Sequence, residues 1–371
     1  MRICYIADAG YIHTQRWVNY FAQRGHEIHL ISTRLGDGYI EGVKFHLLTM
    51  VAPKIWALSK YLNAVLWLIQ ARRLVRIIRP DVLDAHYITI EGYLAVASGF
   101  HPLVLTAWGS DILIDPKQNI LWKILTKYSL KKADLMICDS EAVNNGLIKL
   151  GSDSSKTRVI FHGVDTQRFS PQQRDGALRN MLNISNSPTI ISIRNLSPIY
   201  DVETLINAIP LVLSQAPVAK FIIGGDGKQK GYLEDVANRL GVSENVNFIG
   251  WIPHNEIPKY TASSDIYVST SLSDSASVSL QEAMACGLAP VVTDLPACRE
   301  WVTDGENGFI VPTRDAPALA DRIVYLLRNK EVRRRFGETG RKIIKERAEF
   351  EKEMAKMERL YEELLYSKKE P

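Results

Sequence analysis

Between Asp274 and Val292 the chain reads D-S-A-S-V-S-L-Q-E-A-M-A-C-G-L-A-P-V-V. An acid opens a Ser-rich loop, and a second acid, Glu282, follows eight positions later inside the helix that the loop begins. Gly287 stops that helix, and Leu288–Val292 reads as an apolar strand. A loop feeding a helix start presents backbone N–H groups without intrahelical acceptors, together with the positive end of the helix dipole; both suit a phosphate. Ser277 and Val278 stand at that start. Glu282 cannot face the same phosphate and is placed instead to accept hydrogen bonds from sugar or ribose hydroxyls. A second turn, Gly224-Gly225-Asp226-Gly227, follows the strand F-I-I; alone it is a weak signal, because most such turns are only turns. His86 and the Trp108-Gly109-Ser110-Asp111 segment each follow a strand, where open α/β sheets place ligands. No Asp-x-Asp, no HExxH and no His/Asp/Glu cluster with ligand spacing occurs in the chain, so fixed charges and helix dipoles, rather than a metal, are expected to meet any phosphate.

Positioning these groups is a task for alternating strands and helices. Short β-branched runs are expected as strands at 3–7, 28–32, 43–48, 82–85, 103–107 and 135–138, with helices at 14–23, 55–79, 120–131 and 142–150. Pro80 ends the long second helix, and Asp115-Pro116 is expected as the cap and first turn of the third. The pattern restarts with strands at 189–193, 220–223, 246–248, 265–270, 290–292 and 309–311, and helices near 202–213, 231–240 and 280–286. The polar stretch 167–187 reads as a linker. Beyond Glu331 a helix with interleaved charges carries an apolar seam of Phe350, Met354, Met357, Leu360 and Leu364.

Composition agrees with an ordinary folded chain. Its 371 residues suggest two domains, and 46% hydrophobic with 23% charged residues excludes disorder. A formal charge of +4 is too small to argue for nucleic acid. Cys4, Cys138, Cys286 and Cys298 are scattered without CxxC spacing, as in a reduced cytosolic protein. The N-terminal M-R-I-C-Y-I-A-D reads as a strand rather than a signal peptide. Trp56 to Ile69 is too short and too polar to span a membrane. Aromatic and basic residues mix in two helices: Lys54, Trp56, Lys60, Tyr61, Trp67, Arg72, Arg73 and Arg76 in one, and Trp122, Lys123, Lys127, Tyr128, Lys131 and Lys132 in the other. Such helices either lie on an anionic bilayer or pack one stripe on a sheet with their cations in water.

The Asp274–Val292 segment, the strand end I-S-I-R closing at Arg194 and the G-G-D-G turn resemble retaining glycosyltransferases of family 4. The resemblance covers most of the chain, strongest from Lys220 to Pro312 and weakest from Val51 to Arg79. It implies the GT-B fold: two Rossmann-like, doubly wound parallel-sheet α/β domains facing a cleft. Residues 1–170 would form the acceptor domain and 171–349 the nucleotide-sugar domain, with a terminal helix at about 350–371 packing back on the first. The implied activity is that of a hexosyltransferase, moving a sugar from a nucleoside-diphosphate sugar, such as a UDP- or GDP-sugar, to a hydroxyl acceptor with retention. A lipid-linked or cell-surface glycan precursor would be that acceptor in polysaccharide biosynthesis, and the enzyme would be cytoplasmic or peripheral on the inner membrane face. No cofactor or metal is implied.

Residue by residue, the family places a diphosphate-binding Arg at Arg194 and a Lys where this chain has Tyr200. Gly225, the backbone at Ile249, and Asp274, Ser275, Ala276, Ser277, Val278 and Glu282 would line the donor site. Asp274, Arg194 and Glu282 would carry the chemistry. Relatives usually have Glu at Asp274 and Gly-Phe-Gly at Ser275-Ala276-Ser277. In the first half the loop at Gly10 faces the donor. His13 beside it is either structural or a phosphate or acceptor contact. His86, Trp108 and Asp111 fall in the acceptor and sugar region, with Trp108 where many members have His. The substitutions at Asp274, Trp108 and Tyr200 also fit a catalytically degenerate nucleotide-binding partner, and a sugar phosphorylase or sugar-nucleotide hydrolase could use the same fold.

Overall fold

The computed structural model describes residues 1–36, 41–50, 56–118 and 120–366, the side chains of 56–61 excepted. Contacts divide the chain into two compact units, Met1–His162 with the stretch from Lys352 onward, and Gly163–Glu351.

The first unit is built on seven parallel strands, β1 (Arg2–Ile6), β2 (Glu27–Ser32), β3 (Val43–Leu47), β4 (Val82–His86), β5 (Leu103–Ala107), β6 (Leu135–Cys138) and β7 (Thr157–Val159), in the order β3-β2-β1-β4-β5-β6-β7. Its helices are α1 (Ile12–Gln23), α2 (Trp56–Ile78), α3 (Ile90–Ser98), α4 (Ser110–Leu113), α5 (Asp115–Gln118), α6 (Ile120–Lys132) and α7 (Glu141–Leu150). The central strands β4, β5 and β6 are buried along their whole length, as expected where helices cover both faces of a parallel sheet. Every expected strand of this half is present; the three-residue β7 lacked a readable pattern. Helix α3 was not expected. Its exposed positions Ile90 and Ala97 are as apolar as the buried Leu94 and Ala95, so I-E-G-Y-L-A-V-A-S shows little contrast between faces. The expected cap at Asp115-Pro116 opens the separate turn α5, not α6. Ile55, the expected start of α2, and Lys54 lie outside the described residues, as do the side chains of Trp56, Lys60 and Tyr61.

The second unit carries six parallel strands, β8 (Thr189–Ile193), β9 (Lys220–Gly224), β10 (Val246–Gly250), β11 (Ile266–Ser269), β12 (Ala289–Thr293) and β13 (Phe309–Val311), in the order β10-β9-β8-β11-β12-β13. Before, between and after them run α8 (Gly176–Met181), α9 (Val202–Leu213), α10 (Lys230–Arg239), α11 (Ile257–Ala262), α12 (Val278–Ala285), α13 (Pro296–Arg299), α14 (Ala316–Arg328), α15 (Lys330–Arg347) and α16 (Phe350–Tyr366). From Lys352 onward α16 belongs with the first unit. Helix α9 buries Leu205, Ile206, Ile209 and Val212, each burial contributing about 1.5–3 kcal/mol. Helix α14, absent from the sequence expectation, is capped by Asp315, whose carboxylate accepts from the Ala318 N–H at 2.9 Å.

Residues 167–187, expected as a linker, belong to the second unit instead. Asp175 caps α8 through the N–H groups of Ala177 and Leu178. The buried Arg179 guanidinium donates to the carbonyls of Ser263, Ile184, Ser185 and Ser187. A polar composition hid this because the polar groups satisfy the segment's own backbone.

Candidate functional site

In the second unit the strand order reverses between β8 and β11, the switch point at which open α/β sheets bind ligands beyond the carboxyl ends of their strands. Arg194 follows β8 there. Its guanidinium donates to Ser269 Oγ at 3.2 and 3.3 Å and to Asp274 Oδ2 at 2.5 Å. Its Cζ stands 5.3 Å from the Tyr200 ring centroid, so the aromatic face of Tyr200 meets the cation where a lysine was expected from the resemblance.

Asp274 is taken up by the loop it opens. Oδ1 accepts from the Ser275 N–H at 2.9 Å and the Ser277 N–H at 3.3 Å, and Oδ2 accepts from Ser277 Oγ at 3.1 Å. Ala276 and Ser277 are buried, and Ser277 enters α12 with φ +48°. The Gln281 side chain holds the Ala276 carbonyl at 2.6 Å. This carboxylate therefore sits where an incoming anion would meet a guanidinium and the start of a helix. Val278 begins the helix, and Glu282, one turn on, is 7% exposed. His254 donates Nε2–H to Glu282 Oε1 at 3.3 Å.

Gly225 lies at the end of β9, the neighbour of β8. Its N–H donates to the Gly250 carbonyl at 2.7 Å, and its φ is +134°. A Cβ there would stand 1.8 Å from the Arg194 carbonyl oxygen, so the loop is closed to any larger residue. Ile249 is half-buried next to an irregularity in the β10 ladder between Phe248 and Gly250. Arg194, Gly225, Ile249 and the Asp274–Glu282 segment thus converge on the carboxyl ends of neighbouring strands.

The first unit has its own switch point between β1 and β4. Four rings gather at the strand ends around it. His13 stacks on His162 at 4.1 Å, Trp108 lies 5.2 Å from His13 and 4.8 Å from His162, and His86 lies 5.2 Å from Trp108. His86 is 3% exposed, and neither ring nitrogen finds a hydrogen-bond partner among the described residues. Burial, with a smaller push from His162, lowers its pKa to about 3, which keeps it neutral. Asp111 lies beneath the loop rather than in it. Its carboxylate accepts from the N–H groups of Trp108, Gly109 and Ile88 at 3.1, 2.9 and 2.8 Å. Burial pushes its pKa up to about 7 against those three bonds. Its work is to hold the Trp108 loop. Gly10 is exposed, and its N–H donates to Asp8 Oδ1 at 2.9 Å.

Sequence reasoning missed Asp139, His162 and His254. His162 donates Nε2–H to Asp139 Oδ2 at 3.1 Å; a carboxylate can only accept, which fixes the tautomer. Both residues follow short strands, β6 and β7, and only the fold joins them. Among the described residues no three His, Cys, Asp or Glu side chains come together as metal ligands, and no helix is long and apolar enough to cross a membrane.

Two family models match in succession: "Glycosyl transferase 4-like" over residues 2–140 and "Glycosyl transferases group 1" over residues 175–343. Among curated proteins, the chain is 25% identical over 360 residues to N-acetyl-alpha-D-glucosaminyl L-malate synthase of Bacillus anthracis, covering 93% of this chain and 91% of that one. It is 29% identical over 187 residues to a GDP-mannose-dependent alpha-(1-6)-phosphatidylinositol monomannoside mannosyltransferase of Mycolicibacterium smegmatis, covering 48% of this chain and 49% of that protein. Among solved structures, Anabaena HepE in complex with UDP and glucose superposes with a TM-score of 0.80 at 19% identity, over 98% of this chain and 100% of that one. A sucrose-phosphate synthase from Thermosynechococcus elongatus does so with a TM-score of 0.83 at 18% identity, over 99% and 100%. These likenesses show the GT-B fold. With both halves matched in order, the chain belongs to the group 1, 4-like glycosyltransferases.

Proposed function

We propose that this glycosyltransferase moves a hexose from a UDP- or GDP-sugar to an acceptor hydroxyl with retention of configuration and without a metal, the second unit holding the donor and the first shaping the acceptor site. The observation that carries the reading is the Arg194–Asp274 contact at the start of α12. A guanidinium and a helix start, already gripping one carboxylate, form a site suited to a diphosphate. The names of similar proteins support the donor class: one complex contains UDP and glucose, and one relative is GDP-mannose-dependent. The acceptor is proposed to be a lipid-linked or cell-surface glycan precursor, handled by a cytoplasmic protein bound peripherally to an anionic membrane.

In the reaction, the bond from the sugar's anomeric carbon to the β-phosphate oxygen breaks. The acceptor oxygen bonds that carbon on the same face, and the acceptor proton passes to the departing phosphate oxygen. Arg194 and the N-terminus of α12 would stabilise the charge on the diphosphate, while Glu282 would hold ribose hydroxyls. The protein supplies position and fixed charge rather than a nucleophile. Calorimetry with UDP, GDP and their sugars tests donor binding, and proton NMR of the product tests retention. No heat with any nucleotide, or inversion at the anomeric carbon, contradicts the proposal.

One observation favours a second reading. With Asp274 seated in the anion site, the unit also fits a nucleotide-binding partner that does not turn over. Nucleotide binding without donor consumption, across a panel of acceptors, would support it.

A further inference from the structure

Helix α6 wears its apolar side outward. Thr126, Ser129 and Leu130 are buried, whereas Ile120, Leu121, Ile124, Leu125 and Tyr128 are 71%, 59%, 55%, 37% and 53% exposed. At about 3.6 residues per turn these five share one face. Lys123 and Lys127 flank that face on one side, and Lys131 and Lys132 fall within it near its two edges, with Lys132 Nζ 5.6 Å from the Tyr128 ring centroid. No acid occurs between Pro116 and Ala133. Beside the helix a cavity of about 550 Å³ opens among α4, α5, α6 and α7. Ile112, Ile120 and Leu150 give it apolar walls, and Lys117, Lys123 and Lys149 also line it. None of these lysines forms an ion pair among the described residues.

A helix that packs only on its own sheet turns its apolar side inward, and this one does the reverse. A two-fold contact with a second copy would set lysine against lysine. A surface that is apolar a few ångströms down and negative above satisfies both features, because lysine stems lie along apolar matter while their ammonium groups reach phosphates. We infer that the outward face of α6 and the lysine-lined cavity beside it dock on anionic phospholipid. The five apolar side chains enter the boundary between headgroups and chains, and the cavity seats a lipid phosphate among its lysines. The inference rests on the peripheral-membrane reading above and names the surface responsible for it.

The test is sedimentation of the full chain with vesicles of phosphatidylglycerol or phosphatidylcholine. The wild type should partition onto phosphatidylglycerol, less so as salt rises, and poorly onto phosphatidylcholine. Leu121→Glu/Ile124→Glu should cut that partition by about tenfold or more, and Lys117→Glu/Lys149→Glu by several-fold. All these positions are exposed, so thermal melts and nucleotide affinity should stay unchanged. Variants that sediment like the wild type would overturn the assignment, as would a loss confined to Arg72→Glu/Arg73→Glu on α2. A wild-type dimer by light scattering that disappears in Leu121→Glu/Ile124→Glu would give the face to a second copy. If the wild type never sediments with phosphatidylglycerol, the peripheral-membrane reading falls with it.

Discussion

Arg194 and Asp274 are both largely buried, with side chains 10% and 13% exposed. Any diphosphate that uses this guanidinium must displace or share it with the carboxylate, so the two side chains should affect binding in opposite directions. Arg194→Ala removes charge-assisted hydrogen bonds and should weaken UDP or GDP binding by about 10- to 100-fold. Asp274→Asn keeps the shape and the loop bonds available to an amide oxygen, yet withdraws the competing charge. Its affinity for the nucleoside diphosphate should rise several-fold while transfer from the sugar nucleotide falls. Calorimetry paired with a product assay reads both; a parallel loss of affinity in the two variants would show that Asp274 supports the anion rather than standing in for it. Glu282→Ala should cost about tenfold in nucleotide affinity, the size of a charged hydrogen bond to hydroxyls. It should leave the melting temperature near that of the wild type, because among the described residues the Glu282 carboxylate meets one side chain, His254, at 3.3 Å.

At the scale of elements, α12 presents its start to the site because its far end is pinned. Gly287, at φ +79°, ends the helix, and a Cβ on Gly337 of α15 would stand 2.0 Å from the Gly287 carbonyl oxygen. One turn on, Gly340 packs against Met284 of α12. Gly337→Val should therefore push α15 off α12, cost about 1–3 kcal/mol by overpacking, and lower nucleotide affinity as the helix start moves. A lower urea midpoint with full affinity would separate packing from the site. The strand pattern was legible because buried parallel strands write continuous apolar runs, and Gly287 was legible as a stop. Gly337 was not, since its neighbour is fifty residues away in sequence and only the packing of α15 explains it. Separation along the chain also hid the Asp139–His162 pair, whose members are 23 residues apart. Asp274 was legible as the acid that opens the loop before α12 but not as the partner of the Arg194 guanidinium, because a carboxylate's partner depends on a loop conformation that spacing does not specify.

For the molecule as a whole, the last described helix completes the first unit. Tyr361 of α16, fully buried, donates to Asp84 Oδ2 at 2.5 Å, while Thr106 donates to Oδ1 at 2.9 Å. Asp84 and His86 lie two positions apart on one face of β4, with His86 Nε2 3.9 Å from Asp84 Oδ2. Burial raises the Asp84 pKa to about 7 and lowers that of His86 to about 3, so their contributions to stability slope oppositely with pH. The unfolded chain binds its Asp84 proton only below about 3.9. The stability from a protonated, buried Asp84 is therefore whole below that pH and is lost as pH rises towards 7. The neutral His86 contributes above about 6.5, and that contribution is lost as pH falls towards 3. Between roughly pH 4.5 and 6 each slope approaches about 1.4 kcal/mol per pH unit in the limit, and the two largely cancel. The remaining groups packed here, Tyr5, Tyr361 and His162, are common to both single variants. His86→Phe should then gain stability between pH 7 and 5, and Asp84→Asn should lose it, a divergence of a few kcal/mol by order of magnitude. Urea unfolding of each variant at the two pH values reads the difference directly. Parallel responses would mean that the strand carries both groups in one protonation state throughout the range.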